Sequence, residues 1–198
     1  MTTKKLFANG NFVCEYESTG DDHQDIVICR QLLREHGIDA KTTKEQAIFR
    51  QAVSFATTAS YLYDRDLTSV PANGMTAVPF TVNAVFALEL YIKTLGKLHS
   101  QSLHGHDLVA LFDRLPEAAL DDLRDEVASA AVMSQRKCGI SNLGELRAAL
   151  VGMRNAFKEW RYMHEKDPSG SIQFRALIFS MEAFHTTCQK HEAITPRK

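Results

Sequence analysis

The sequence has few of the features by which several protein classes are recognised. It carries 23 lysines and arginines against 24 aspartates and glutamates, so its formal net charge of −1 implies no overall attraction to nucleic acid or to an anionic membrane. The cysteines are far apart and form no CxxC unit, which argues against a disulfide framework or a zinc knuckle; they are Cys14, Cys29, Cys138 and Cys188. We therefore expect reduced thiols in a cytoplasmic chain without a metal or other cofactor.

Long apolar runs and the common catalytic signatures are also missing. The N-terminal segment lacks the apolar core of a signal peptide, and the most apolar segment, residues 80–95, is interrupted by Asn83, Glu89 and Lys93. We therefore expect no membrane span. No Gly-rich phosphate loop, GxSxG elbow or HExxH motif occurs, so the enzymes that these motifs mark are excluded.

The sequence does contain several segments with helical periodicity, and short polar stretches separate them. Capping residues, glycines and prolines place predicted helices at about 22–36, 43–64, 79–98, 108–115, 117–133, 143–166 and 171–191. Asn9-Gly10 lies between two short apolar runs, which indicates a β-hairpin. The expected fold class is all-α, an antiparallel bundle of about six or seven helices with a small N-terminal β-hairpin.

Three stretches are expected along the chain. Residues 1–65 would form an N-terminal extension, with the hairpin and two helices packing on the bundle. Residues 66–192 would form the helical core, and residues 193–198 a disordered tail.

The segment Val78–Leu95 is apolar nearly all round its helix, which predicts a helix enclosed by other elements. Two exceptions, Glu89 and Lys93, are spaced i, i+4 in the order that favours an ion pair on one face. Both side chains could reach the solvated rim. Alternatively, the pair positions neighbouring helices or lines a site, because an unpaired buried charge costs several kcal/mol.

Three segments carry a resemblance to a known family. Residues 86–93 read FALELYIK, residues 105–115 read GHDLVALFDRL, and residues 154–165 read RNAFKEWRYMHE. They resemble, in the same order, the Phe-Ala-x-Glu-x-x-x-Lys helix, the His-x-Leu-x-x-Leu-Phe segment and the Phe-x-x-Trp-Arg-Tyr-x-x-Glu helix of HEPN-like proteins. The resemblance implies an antiparallel bundle that is often dimeric. Many members are metal-independent ribonucleases of toxin–antitoxin and phage-defence systems, and others are inactive binding modules.

The Arg-x(4–6)-His motif of active members is not intact in the matching helix. After Arg154 the next histidine is His164, which on one helix would lie about 80° round the axis and about 15 Å along it. Arg161 and His164 are i, i+3 neighbours and could share a site. The catalytic candidates of a variant metal-independent endoribonuclease are therefore Arg154, Arg161 and His164. Arg30 and His36 match the spacing, but they lie outside the resembling region, and cationic residues suit a helix C-terminus.

A basic ridge is predicted on the same helix. Its members fall within about 60° of one another in helical projection, and they are Arg147, Arg154, Lys158 and Arg161. Such a ridge could bind the phosphates of RNA or of a nucleotide, or an acidic partner surface. The alternative is a solvated face whose arginines pair with nearby glutamates.

A short histidine-rich segment precedes the helix predicted at 108–115. His104, His106 and Asp107 could be metal ligands, but they lack a fourth ligand at any recognisable spacing. Capping of the helix by His106 or Asp107 explains them better, so no metal site is predicted.

Three hypotheses of function remain open. The first is a HEPN-like protein without the standard ribonuclease motif, a homodimer that binds nucleic acid or a nucleotide in a bacterial defence or toxin–antitoxin context. The second is a variant metal-independent ribonuclease. The third is a protein-interaction component, such as a toxin or antitoxin partner, that makes no contact with RNA.

Overall fold

The computed structural model is a mostly helical protein with a small N-terminal β-hairpin, as the sequence predicts. It describes residues 2–8, 11–38, 42–133, 138–154, 156 and 173–191. Two compact units follow one another along the chain, Met1–Thr43 and Lys44–Lys198. The division between the compact units falls before the second helix, whereas the predicted N-terminal extension runs to residue 65. The predicted tail at 193–198 lies outside the described residues.

The first unit contains the predicted hairpin and one helix. Strands β1 (Thr2–Ala8) and β2 (Asn11–Ser18) pair antiparallel, and helix α1 (Asp22–Glu35) follows them. Asp21 caps α1, because its side chain accepts hydrogen bonds from two backbone amides of the first turn. Leu6 is the buried apolar side chain of the hairpin.

Asp25 joins α1 to the end of the hairpin. This buried carboxylate accepts hydrogen bonds from Ser18 Oγ at 2.5 Å, Lys4 Nζ at 2.9 Å and the Thr19 amide at 2.8 Å. The Ser18 hydroxyl, then Lys4 and the Thr19 amide, hold the pKa of Asp25 far below its usual value, because each stabilises the ionised form. Asp25 therefore links the end of the hairpin to α1 through several hydrogen bonds.

The second unit is a helical bundle. Its helices are α2 (Lys44–Leu62), α3 (Ala77–Leu98), α4 (Leu108–Phe112), α5 (Glu117–Met133), α6 (Leu143–Gly152) and α7 (Phe174–Gln189). A π-helical turn, Tyr63–Leu67, extends α2, and a 3₁₀ turn, Gly74–Thr76, leads into α3.

Helix α3 is the centre of this bundle, as its apolar sequence predicts. Helices α2 and α7 pack along it, and Phe80, Leu88, Ile92 and Leu95 are fully buried. By length and composition, Gly74–Leu98 could also cross a membrane, contrary to the expectation from sequence. More than half of its apolar window is buried inside this unit, which is the behaviour of the core helix of a bundle.

The end of α3 is closed by the chain that follows it. The Gln101 amide donates a hydrogen bond to the Gly96 carbonyl at 2.8 Å, and Leu103 is buried against the helix. A Cβ atom at Gly96 would lie 2.7 Å from Leu103 Cδ1 and 3.1 Å from the Gln101 carbonyl oxygen. Glycine therefore permits the close approach of this return loop.

Helix α6 ends earlier than the predicted helix 143–166. Asn142 caps its start by accepting from the Glu145 amide at 3.0 Å, and Met153 ends it after Gly152. Glycine disfavours helix continuation, and the buried Met153 and Ala156 turn the chain toward the core. The prediction that one helix carries all four ridge residues is therefore wrong. Residues 157–172 lie outside the described structure.

Candidate functional site

A buried carboxylate organises the surface where α3 meets the start of α4. Only 1% of the Glu89 side chain is exposed, so the expectation that it reaches the solvated rim is wrong. Lys93 Nζ donates to Glu89 Oε1 at 2.7 Å, and the lysine side chain is 19% exposed. The opposite charge compensates a carboxylate that would otherwise be costly to bury.

The same carboxylate also contacts His106, in the loop before α4. His106 Nδ1 lies 3.0 Å from Glu89 Oε1 and 3.2 Å from Oε2. Both oxygens of the Glu89 carboxylate face Nδ1, so this contact holds the imidazole ring in one orientation. The His106 side chain is nevertheless 56% exposed, which leaves the ring accessible from solvent.

Asp107 is the cap of α4. Its Oδ1 accepts from the Val109 and Ala110 amides at 3.0 Å each, which is the capping role anticipated for this residue. Its other oxygen, Oδ2, accepts from Arg154 Nε at 2.7 Å. The Ala110 amide, then Arg154, hold the pKa of Asp107 below its usual value, so the carboxylate is ionised at neutral pH.

Arg154 and His106 are thereby brought to the same short loop. His106 and Asp107 are consecutive, and Asp107 holds the arginine that follows α6. The Arg154 side chain is 50% exposed, and only its Nε contacts Asp107 among the described residues. A guanidinium has five N–H donors, so this contact still permits Arg154 to bind a phosphate.

Arg147 is held in a different way. Its Nε and Nη2 donate to the two oxygens of Asp113 at 2.6 Å each, a bidentate pair between α6 and the end of α4. Arg147 lowers the pKa of Asp113, and the aspartate in turn neutralises the arginine. The two described members of the predicted ridge are therefore both paired with aspartates, and Arg154 is the less committed of them.

Lys158, Arg161 and His164 lie outside the described residues, so their roles stay predictions. His36, from the spacing match in the first unit, is the C-cap of α1.

The sequence did not reveal the contact between Glu89 and His106. The two residues are 17 positions apart and belong to different elements, so no helical spacing relates them. The available signal was a lone acidic residue inside an apolar helix, followed by a histidine at the start of the next helix.

Another histidine is enclosed in the core and differs from His106. The Tyr91 hydroxyl lies 2.9 Å from His185 Nδ1, and the Phe49 ring stacks on the imidazole with centroids 5.4 Å apart. Burial lowers the pKa of His185, so the ring is neutral at pH 7. His185 therefore serves packing, and His106 is the accessible histidine of the candidate site.

Comparison with known proteins supplies no relative for this site: no family model, no curated protein and no solved structure matches the chain.

Proposed function

We propose that the chain is a HEPN-like protein that binds a phosphate-bearing ligand, RNA or a nucleotide, at the start of α4. His106 and Arg154 would contact the ligand, and Glu89 and Lys93 would hold His106 in place. The carrying observation is that buried Glu89 fixes the exposed His106 ring beside the loop that holds Arg154. The resemblance to HEPN-like proteins adds the bacterial defence or toxin–antitoxin context.

The electrostatics of the cluster support a local phosphate site more than a broad RNA-binding surface. The net charge of the chain is −1, and the ridge residue Arg147 is engaged by Asp113. A phosphate group must therefore be attracted by a few positioned cations. Arg154 is one of them, because it can share its contact with Asp107 or exchange it for a phosphate. Arg147 would have to break a bidentate pair before it could bind.

The test is fluorescence anisotropy with a labelled single-stranded RNA at low salt, with ATP as competitor. Arg154→Ala should weaken binding about tenfold, the effect of losing one hydrogen bond to a charged group. It should also reduce the slope of log K against log salt by about 0.7, since one phosphate contact on a single strand is lost.

Two arginine variants serve as matched controls, because each removes the same charge. Arg147→Ala, seven residues earlier in the chain, should weaken binding less than Arg154→Ala. Arg175→Ala, at an exposed position on α7, should leave binding unchanged. Equal losses in all three variants, or no RNA binding by the parent chain, would reject the proposed site.

A variant metal-independent ribonuclease is the second candidate, because a carboxylate that orients a histidine is the arrangement of a general acid–base group. RNA cleavage would then persist in excess chelator and fall about 10²- to 10⁴-fold in His106→Ala. Loss of cleavage in His164→Ala with retention in His106→Ala would instead assign the reaction to the residues proposed from the family resemblance.

The homodimer and the cognate partner protein implied by the resemblance also remain proposals. Light scattering coupled to gel filtration measures the first. A specific protein that co-purifies with the chain, and whose binding is insensitive to Arg154→Ala, would favour the interaction component without RNA contact.

A further inference from the structure

Three side chains that can bind a metal ion meet at the C-terminal end of α3. His99 is the C-cap of α3, Asp122 lies in the second turn of α5, and His191 follows the C-cap of α7. Their ligand atoms all lie within 4.8 Å of one another. The three residues are far apart in sequence, which is why no spacing motif indicated them.

Asp122 is the common partner of the two imidazoles. Its Oδ2 lies 3.1 Å from His99 Nε2 and 3.2 Å from His191 Nε2. The two rings stand nearly perpendicular, with centroids 5.0 Å apart. One carboxylate oxygen therefore faces one nitrogen from each ring.

His99 is the informative member of this cluster. Its side chain is 15% exposed, and its Nε2 atom is buried and makes no hydrogen bond of acceptable geometry among the described residues. The short distance to Asp122 is thus not a well-formed hydrogen bond. A buried imidazole nitrogen without such a bond costs free energy unless another group satisfies it.

We propose that His99, Asp122 and His191 bind one divalent transition-metal ion, with Zn²⁺ the best fit. Two imidazole nitrogens and one carboxylate oxygen are ligands that Zn²⁺ prefers, and a water molecule would supply the fourth. Bonds of about 2.0–2.2 Å in a tetrahedron place neighbouring ligand atoms about 3.3–3.6 Å apart. The two distances to Asp122 are within a few tenths of an ångström of that range, so small side-chain movements would suffice.

The local electrostatics favour a cation. The C-termini of α3 and α7 both end at the cluster, and a helix C-terminus carries a partial negative charge. Lys190, the residue before His191, is paired with Glu126, whose Oε2 lies 2.6 Å from its Nζ. The metal would join the ends of α3 and α7 to α5, and its role would be structural.

The experiment uses the full chain, stripped with a chelator and then freed of it. Titration with Zn²⁺ in competition with a chromophoric chelator should give one site per chain, and the melting temperature should rise with Zn²⁺ concentration above Kd. Co²⁺ should give the visible absorption of a tetrahedral site with nitrogen and oxygen ligands, without a thiolate charge-transfer band.

Each ligand is then removed in turn. His99→Ala, Asp122→Asn and His191→Ala should each weaken Zn²⁺ binding more than the roughly 10- to 100-fold that loss of an outer-shell partner costs. His104→Ala, at an exposed loop position, is the matched control and should bind as the parent does. If His99→Ala does not fold, the nearly isosteric Asp122→Asn at a half-exposed position decides the question.

Three results would overturn the proposal: no Zn²⁺ binding by the stripped chain, binding that all three variants retain, or a thiolate band with Co²⁺. The first would make the cluster a pair of histidine–carboxylate contacts only. The test does not depend on RNA, so loss of the phosphate site would leave its outcome unchanged.

Discussion

At the scale of single residues, Glu89 links the exposed His106 side chain to the buried helix α3. Its burial in α3 would be unfavourable alone, and its contacts with Lys93 and His106 offset much of that cost. A side chain held in this way cannot change partners without a loss of stability. Glu89 therefore gives His106 a fixed orientation that a solvated residue could not provide.

We expect Glu89→Ala to lower the free energy of unfolding by about 3–5 kcal/mol, because Lys93 would remain charged and largely buried without its partner. Chemical denaturation monitored by circular dichroism measures the change. The double variant Glu89→Gln with Lys93→Met should be less destabilised than Glu89→Ala, since no charge is then left unpaired. An equal loss in both would contradict a role for charge compensation.

Asp25 predicts a dependence of stability on pH in the first unit. Its pKa is far lower in the folded unit than in the unfolded chain, so its contribution is present above about pH 4, the unfolded value, and is lost as the pH falls toward the folded value. Amide hydrogen exchange of residues 11–35 should therefore accelerate relative to the rest of the chain as the pH is lowered below about 4.

The control for this prediction is Asp25→Asn. It should destabilise the same amides at pH 7, because the amide side chain cannot accept as many hydrogen bonds as the carboxylate does. Its stability should also change less on acidification. A parent-like acid response in this variant would assign the effect to other carboxylates.

At the scale of elements, the turn after α3 depends on Gly96. We expect Gly96→Ala to destabilise the bundle by about 1–3 kcal/mol, the usual cost of forcing an extra methyl group into packed surroundings. The reason is the close approach of Leu103 and of the Gln101 carbonyl to the missing side chain. Thermal unfolding of the purified variant provides the measurement.

Gly152→Ala is the matched control in another helix. No atom of the described residues lies within 4 Å of a Cβ built there, and Gly152 is the last residue of α6. Alanine should therefore be neutral or stabilise by up to about 1 kcal/mol, as expected from helix propensity. If both glycine variants lost stability equally, contact with Leu103 would not be the cause.

Elements defined by strong local signals were predictable from sequence. Helix α1 starts at the predicted residue 22, Asp107 caps α4 as one of the two expected capping residues, and the all-round apolar sequence of α3 indicated a buried helix. The end of α6 was not predictable by the same means, because periodicity continues through Gly152 while tertiary packing of Met153 turns the chain. Local propensity decides where helices form more reliably than where they end.

The sites were less predictable than the elements, for a physical reason. Glu89 meets His106, and His99 meets Asp122 and His191, through tertiary contacts between separate elements. Site residues that are brought together by tertiary contacts show no characteristic spacing in the sequence. Helical projection of the ridge also placed Arg147 and Arg154 on one face but could not show that Asp113 and Asp107 engage them.

At the scale of the whole molecule, the two units differ in what their own residues can stabilise. Among the described residues, those that form the apolar core of the second unit lie between residues 49 and 188. We therefore expect residues 44–198 to fold cooperatively when produced alone. Residues 1–43 alone should be unfolded, because so short a chain buries too little apolar surface. Circular dichroism and thermal unfolding of the two fragments check both expectations, and a non-cooperative larger fragment would contradict the first.

The apolar character of α3 has a consequence for synthesis of the chain. On a ribosome that adds about 5–20 residues per second, α7 begins about 75 residues after α3 ends, so α3 lacks this covering helix for about 4 to 15 s. During that interval it is long and apolar enough to compete for the machinery that inserts helices into membranes. A charged residue near the middle of a helix opposes insertion by about 2.5–3.5 kcal/mol. Glu89, which lies three residues from the middle of Gly74–Leu98 and contacts His106 in the folded bundle, would thus oppose membrane insertion of the nascent helix.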